Sequence, residues 1–208
     1  MPSSSPSPPG PAQATGSRLA AVLLSSAQFP PGFADDPTAD LDSGGAITTA
    51  APLHDPQHLS CPELLNDLWR PGFGETAMAT NAVADQSTGE VYSEAVYQFA
   101  SSGVADVFYD GLAATWAACH LIVTNVSPTE VGRLTVTPTA APGGLGVQDF
   151  AVTMTGDEGA HLSETETVAR EGVDVYMAVA GRIGYTQPSD LHSATLLQQL
   201  ITNVNDLG

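Results

Sequence analysis

The chain has 208 residues, of which 23 are Asp or Glu and 5 are Lys or Arg, so its formal net charge is −18 at pH 7. A surface of that sign repels phosphate backbones and anionic headgroups, which disfavours binding to nucleic acid and electrostatic binding to membranes. The length predicts one domain with a sizeable core and a tail. No apolar run approaches the roughly 20 residues needed to cross a bilayer, and no signal peptide is visible.

Residues 1–17 are rich in proline and serine and carry no charged side chain. This composition cannot bury a core, so it predicts a disordered, partly polyproline spacer. Spacers of this kind often hold an exported domain away from a membrane. We therefore expect a folded domain at residues 18–208, secreted or anchored through a lipidated N-terminus that precedes this sequence.

The first half of the chain alternates short helical and strand patterns. Hydrophobic spacing and breakers predict, in order, a helix at 18–26, an acidic loop at 34–45, a helix at 61–69 after Ser60, and strands at 75–84 and 90–99 joined by a hairpin turn. A calcium site in the acidic loop is not favoured, because its Asp spacing does not match an EF-hand.

A longer helix follows and ends at Cys119. Ser101 or Ser102 can cap its start, and apolar residues recur at helical spacing along it. We expect one buried stripe formed by Val104, Val107, Phe108, Leu112, Trp116 and Cys119.

The second half reads as a series of strands and a closing helix. Strands are predicted near 120–126, 132–137, 148–154, 163–170 and 173–179, and the helix buries Leu197, Leu200, Ile201, Val204 and Leu207. Neighbouring strands joined by short turns favour an antiparallel sheet. The predicted fold is therefore α+β, with helices packed on one antiparallel sheet in a single domain.

Cys61 and Cys119 begin one predicted helix and end another. A disulfide between them would close a loop of roughly 60 residues and remove about 4 kcal/mol of unfolded-state entropy in the chain-entropy model. An oxidising compartment favours this pairing. Zinc held by His54, His58, Cys61 and Cys119-His120 is the alternative, although the Cys-x-x-Cys pair typical of structural zinc sites is missing.

Glu164 and Glu166 alternate on one face of a predicted strand. Paired carboxylates can act as acid and base, but on a wet strand face they are usually solvated charges that discourage edge pairing. The sequence contains no nucleophile elbow, phosphate loop or dinucleotide fingerprint. We expect no enzymatic activity and no cofactor. Most bulky aromatics should be core, with Trp116 and Tyr176 proposed to lie near a ligand-binding cleft.

Several segments occur together in an order that resembles a known family. These are Leu23-Leu-Ser-Ser-Ala-Gln-Phe-Pro-Pro-Gly-Phe33, Cys61, Tyr97-Gln-Phe-Ala-Ser-Ser102 with Trp116-Ala-Ala-Cys119, Asp174-Val-Tyr-Met-Ala-Val-Ala180, and the closing amphipathic helix. The chain resembles, from about residue 18 to 207, the extracellular sensor domain of mycobacterial receptor-type Ser/Thr kinases, the PknH-like domain. Actinobacterial lipoproteins and exported proteins share that domain.

The resemblance implies an antiparallel sheet with helices, a Cys61–Cys119 bridge tying the central helix, and a cleft for a small ligand. The kinase sensor domain carries a second pair of cysteines that this chain lacks. We thus predict an exported, non-catalytic ligand-binding or sensing domain of the cell envelope, whose ligand is small and apolar or envelope-derived. The alternatives are an envelope hydrolase using Glu164 and Glu166, favoured by raised carboxylate pKa values facing one pocket, and a structural or interaction protein.

Overall fold

One antiparallel sheet organises the chain. The computed structural model describes residues 14–45, 47, 55–66, 72–127, 130–139, 144–146, 148–157, 162–184 and 189–207. Within them the strands are β1 (Ala34–Asp35), β2 (Leu41–Asp42), β3 (Ala77–Asp85), β4 (Glu90–Gln98), β5 (Leu121–Ser127), β6 (Glu130–Thr139), β7 (Gln148–Asp157), β8 (Leu162–Glu171) and β9 (Asp174–Ile183). The helices are α1 (Gly16–Ala20), α2 (Cys61–Asn66), α3 (Ser102–Ala118) and α4 (Ser193–Asn205).

The strand order is β1-β3-β4-β9-β8-β7-β6-β5, with β2 also paired to β3. Strands β5 to β9 form a meander, and β9 then pairs with β4, so the last strand in sequence lies in the middle of the sheet. Every pairing is antiparallel. The predicted fold class is confirmed.

Helices cover both faces of the sheet, and each face has its own core. Phe108, Leu112 and Trp116 of α3 pack with α2 on one face, which we call the α3 face. Residues of α1 and α4 pack on the other, the α4 face. The central strand β9 is buried on both sides throughout 175–180. The period-two pattern of Val173, Val175, Met177 and Val179 predicts burial on one side only, and thus describes half of the contribution of this strand to the core.

The ends of several elements differ from the prediction. Helix α1 begins at Gly16, because the Thr15 side chain accepts a hydrogen bond from the Arg18 N–H and acts as its N-cap. Ala14 is buried, so folded structure begins before residue 18. The predicted acidic loop contains β1 and β2, which pair with β3. Residues 1–13 of the predicted spacer, residues 67–69 of the second predicted helix, and His54 lie outside the described residues.

The buried stripe of α3 also differs from the prediction. Val104 is 42% exposed and Val107 is 62% exposed, whereas Ala105 and Tyr109 are buried with Leu112. At 3.6 residues per turn, Val107 projects to the side opposite Ala105 and Leu112. The prediction is confirmed for Phe108, Leu112, Trp116 and Cys119, which are buried, and is wrong for Val104 and Val107. Ser101 caps the helix as predicted, since its side chain accepts from the Val104 N–H.

Gly111 lets a short 3₁₀ helix (Pro56–His58) approach α3 closely. A Cβ at residue 111 would lie 2.9 Å from Gln57 Cγ and 3.0 Å from Pro56 Cγ. We expect Gly111→Ala to lower the free energy of unfolding by about 1–3 kcal/mol through overpacking, as measured by urea denaturation. Gly103→Ala in the same helix is the control. Its Cβ would meet only Ser101 Oγ at 4.0 Å, so it should stabilise by about 0.5 kcal/mol. Stabilisation by both substitutions would contradict the close approach.

Candidate functional site

Three neighbouring strands carry hydroxyl side chains on the α4 face. Successive strand residues point to opposite faces, so alternate threonines share one side. Thr153 of β7 is in register with Thr137 on β6 and with Thr165 on β8. In the next row, Thr155 lies between Thr135 and Ser163. Because the three strands are in register, their Thr-x-Thr patterns place rows of hydroxyl side chains next to one another, and these rows form a two-dimensional array on the α4 face.

The segment that leads into α4 closes one side of this array and makes a groove. The groove has a volume of about 570 Å³, within the range typical of small-molecule sites. We call it the hydroxyl groove. It is lined by Thr139, Ala151, Thr153, Thr155, Ser163, Thr165, Thr167, Ala180, Ser189, Leu191, His192, Ser193 and Ala194.

The chemistry of the hydroxyl groove is neutral. Among the described residues that line it, none is Asp, Glu, Lys or Arg, and His192 is the one histidine. Thr153 and Thr165 hydroxyls are 3.3 Å apart, and those of Thr167 and Ser193 are 2.8 Å apart. Since each hydroxyl is one donor and two acceptors, these pairs keep further capacity for a ligand.

A buried acidic side chain fixes the rim of the groove. Glu90 of β4 is buried and contacts Arg182, accepts from the Ser189 hydroxyl, and accepts from the Asp190 N–H at 3.1 Å. Arg182 also lies 3.1 Å from the Asp190 carboxylate. Ser189 and Asp190 are therefore engaged with the sheet, and His192 is the N-cap residue of α4, although its side chain makes no capping hydrogen bond. The rim is anchored to a strand about a hundred residues earlier in the chain.

Glu164 and Glu166 lie on the opposite, α3 face, and the interpretation of both as solvated charges is wrong. Glu166 is 2% exposed and accepts a hydrogen bond of 3.1 Å from the Trp116 indole N–H. Burial raises the pKa of Glu166 to about 8, opposed by the Trp116 hydrogen bond and reinforced by the Glu164 charge. The covering helix, which the strand pattern does not reveal, makes this face dry.

Glu164 is half-buried beside it, and burial raises its pKa to about 7. Its side chain lies over Gly181 of β9, where a Cβ would fall 2.2 Å from Glu164 Cγ. Tyr97, fully buried on the same face, has a hydroxyl without a hydrogen-bond partner among the described residues. Its pKa is raised well above the usual value by burial, and then by the charges of Glu75 and Glu166. The α3 face therefore encloses a polar cluster within an apolar core.

The structure does not bring the two predicted cleft residues together. Trp116 packs in the core of the α3 face and Tyr176 in the core of the α4 face, so the sheet separates them. Both are almost completely buried, and neither lines the hydroxyl groove. Their assignment as ligand-binding residues stays a prediction.

Cys61 and Cys119 form a disulfide, with their Cα atoms 5.7 Å apart. The bond joins the start of α2 to the residue that caps the C-terminus of α3. It also uses both sulfurs that the zinc alternative requires. His58 instead contacts the Asp55 carboxylate at 2.8 Å, and no group of three or more potential metal ligands occurs among the described residues.

The hydroxyl groove itself was missed by sequence reasoning. Three strands with threonine at alternate positions carried the signal for it: Thr135-x-Thr137-x-Thr139, Thr153-x-Thr155 and Thr165-x-Thr167.

In the described part of the chain, no helix is long and apolar enough to cross a membrane.

Comparison with solved structures identifies a similar architecture. The fold is similar to that of the PknH extracellular domain. The match is to the crystal structure of this domain from Mycobacterium tuberculosis, with a TM-score of 0.64 and 16% sequence identity, covering 93% of this chain and 97% of the PknH chain. At this identity the likeness concerns the fold. No family model and no curated protein matches the sequence.

Proposed function

We propose that the chain is an extracytoplasmic, non-catalytic sensing domain whose ligand binds in the hydroxyl groove. The groove carries the proposal, because it is concave, of suitable volume and held by an anchored rim. The similarity of the fold to the PknH extracellular domain supports a sensing role. The disulfide supports an oxidising compartment, since such bonds rarely persist in the cytosol. Attachment through a lipidated N-terminus belongs to the same proposal.

The arrangement of the acidic residues favours binding over hydrolysis. A hydrolase would need carboxylates with raised pKa values facing the bound substrate. Glu164 and Glu166 do have raised pKa values, but they face α3, across the sheet from the hydroxyl groove. Glu166 is also covered by Trp116. No carboxylate occurs among the described residues that line the groove, and the rim carboxylates of Glu90 and Asp190 are both engaged by Arg182.

The proposal predicts a ligand that a bulky side chain in the groove will displace. Thr155 is exposed and lines the groove, so Thr155→Trp should fill it without disturbing the core. We expect native mass spectrometry of protein purified from its own host to show a small-molecule adduct on the unaltered protein. The adduct should fall at least tenfold in abundance on Thr155→Trp.

Val107→Trp is the matched control, because Val107 is 62% exposed on α3, across the sheet from the groove. It should keep the adduct at the level of the unaltered protein. The proposal is overturned if independent preparations carry no adduct, or if Thr155→Trp retains the adduct in full.

A further inference from the structure

We infer that the ligand of the hydroxyl groove is a neutral oligosaccharide, an inference that rests on the proposed function. The charges, polar groups and shape of a binding site determine which class of ligand fits it. The groove matches a saccharide in all three properties.

The first property is charge. The protein carries 23 acidic residues, yet none of the described residues that line the groove is acidic, and none is Lys or Arg. At the rim, Arg182 is already paired with the carboxylates of Glu90 and Asp190. An anionic ligand would have to compete with both carboxylates, in a protein whose net charge repels it. A cationic ligand would likewise have to compete with Arg182. The groove therefore matches an uncharged ligand.

The second property is the alternation of methyl and hydroxyl groups. Each threonine presents both, and the array repeats them on β6, β7 and β8. A sugar ring likewise presents C–H and O–H groups close together, and its hydroxyls both donate and accept. A threonine hydroxyl can rotate to serve either role. A purely apolar ligand such as a fatty acid would cover these hydroxyls and leave their remaining hydrogen-bonding capacity unused, which costs free energy.

The third property is adjacency to a second groove. A shallower groove of about 400 Å³ runs along α4 and is lined by Leu145, Ala194, Thr195, Gln198, Gln199 and Thr202. Ala194 lines both grooves, so the two are adjacent. The described residues of the second lining are also uncharged and add amide groups. Two adjacent neutral grooves fit a chain of several sugar units better than one compact ligand.

The test is isothermal titration calorimetry of the full chain against a panel of neutral oligosaccharides that includes glucans, mannans, galactans and arabinans. Hexagalacturonate serves as an anionic probe and laurate as an apolar probe. We expect micromolar to millimolar binding of at least one neutral member, unchanged between low and high salt because no charges pair. Laurate and hexagalacturonate should not bind.

Thr165→Val removes one groove hydroxyl with little change in shape and should weaken the saccharide about 3- to 10-fold, the effect of losing one hydrogen bond. Thr38→Val, in the exposed turn between β1 and β2 and outside the lining of both grooves, should leave affinity unchanged. Binding of laurate or hexagalacturonate alone, binding of no panel member, or equal affinity of Thr165→Val and the unaltered protein would overturn the inference. If the Thr155-sensitive adduct is nevertheless found, the proposed function stands and only the ligand class is wrong.

Discussion

Replacing Cys61 and Cys119 together by serine should lower the free energy of unfolding by about 4 kcal/mol. The two residues are 58 positions apart, and releasing a loop of that length restores roughly that much conformational entropy to the unfolded chain. Domains of this size are commonly stable by only about 5–15 kcal/mol. The variant should therefore be partly unfolded at moderate temperature, as followed by circular dichroism and urea titration.

Reduction of the unaltered protein is the internal control for this loss. Dithiothreitol should shift its urea midpoint to that of the double-serine variant, and should leave the variant itself unchanged. A double-serine variant that unfolds at the same urea concentration as the oxidised protein would show that the bond does not limit stability.

Glu166→Gln should make the protein less sensitive to alkaline pH. The folded-state pKa of Glu166, about 8, lies above its ordinary value of 4.5, so the folded state holds this proton more tightly than the unfolded state. Its contribution to stability is complete below about pH 4.5 and is lost as the pH rises through about 8. Between pH 5 and pH 8 the loss from this group is about 3 kcal/mol, at 1.36 kcal/mol per pKa unit.

Urea denaturation at pH 5 and pH 8 measures the difference. The variant should lose about 3 kcal/mol less stability over this interval than the unaltered protein, because a glutamine carbonyl can still accept from Trp116 and never ionises. Burial also raises the pKa of Glu94 and Glu164 to about 7 and that of Asp174 to about 6. The free energy of unfolding of the variant should therefore still fall to some extent between pH 5 and pH 8.

Asp110→Asn on the exposed side of α3 is the matched control and should reproduce the pH dependence of the unaltered protein. Parallel stability curves for Glu166→Gln and the unaltered protein would mean that Glu166 is already ionised in the folded state at pH 5. The buried carboxyl would then be stabilised by contacts beyond its hydrogen bond to Trp116.

Local sequence signals were enough to predict that most helices and strands exist and of which type each one is. The hairpin of β3 and β4, the Ser101 cap of α3 and the apolar face of α4 all depend on residues a few positions apart. Such features are specified by short-range spacing and turn composition. The sheet class followed from them.

Features that depend on distant elements were the ones that differed. Whether Glu166 is wet depends on Trp116, 50 residues earlier, and not on the strand that carries it. The exposure of Val107 depends on which side of α3 meets the sheet. The hydroxyl groove requires three strands in register and a rim held by Glu90, 100 positions from Asp190. None of these relations between distant residues produces a periodic pattern in the sequence of a single strand or helix.

The central position of β9 has a consequence for how the protein is made. Strands β4 and β8 both pair with β9, which is synthesised after them. Until it arrives, the β3–β4 hairpin and the β5–β8 meander are separate pieces, each with an unsatisfied inner edge that could pair with other chains. The chain that emerges from a ribosome or a translocation pore therefore cannot complete its sheet until β9 has been released. Because β9 pairs with β4, which lies far from it in the sequence, we expect the last step of sheet formation to be slow.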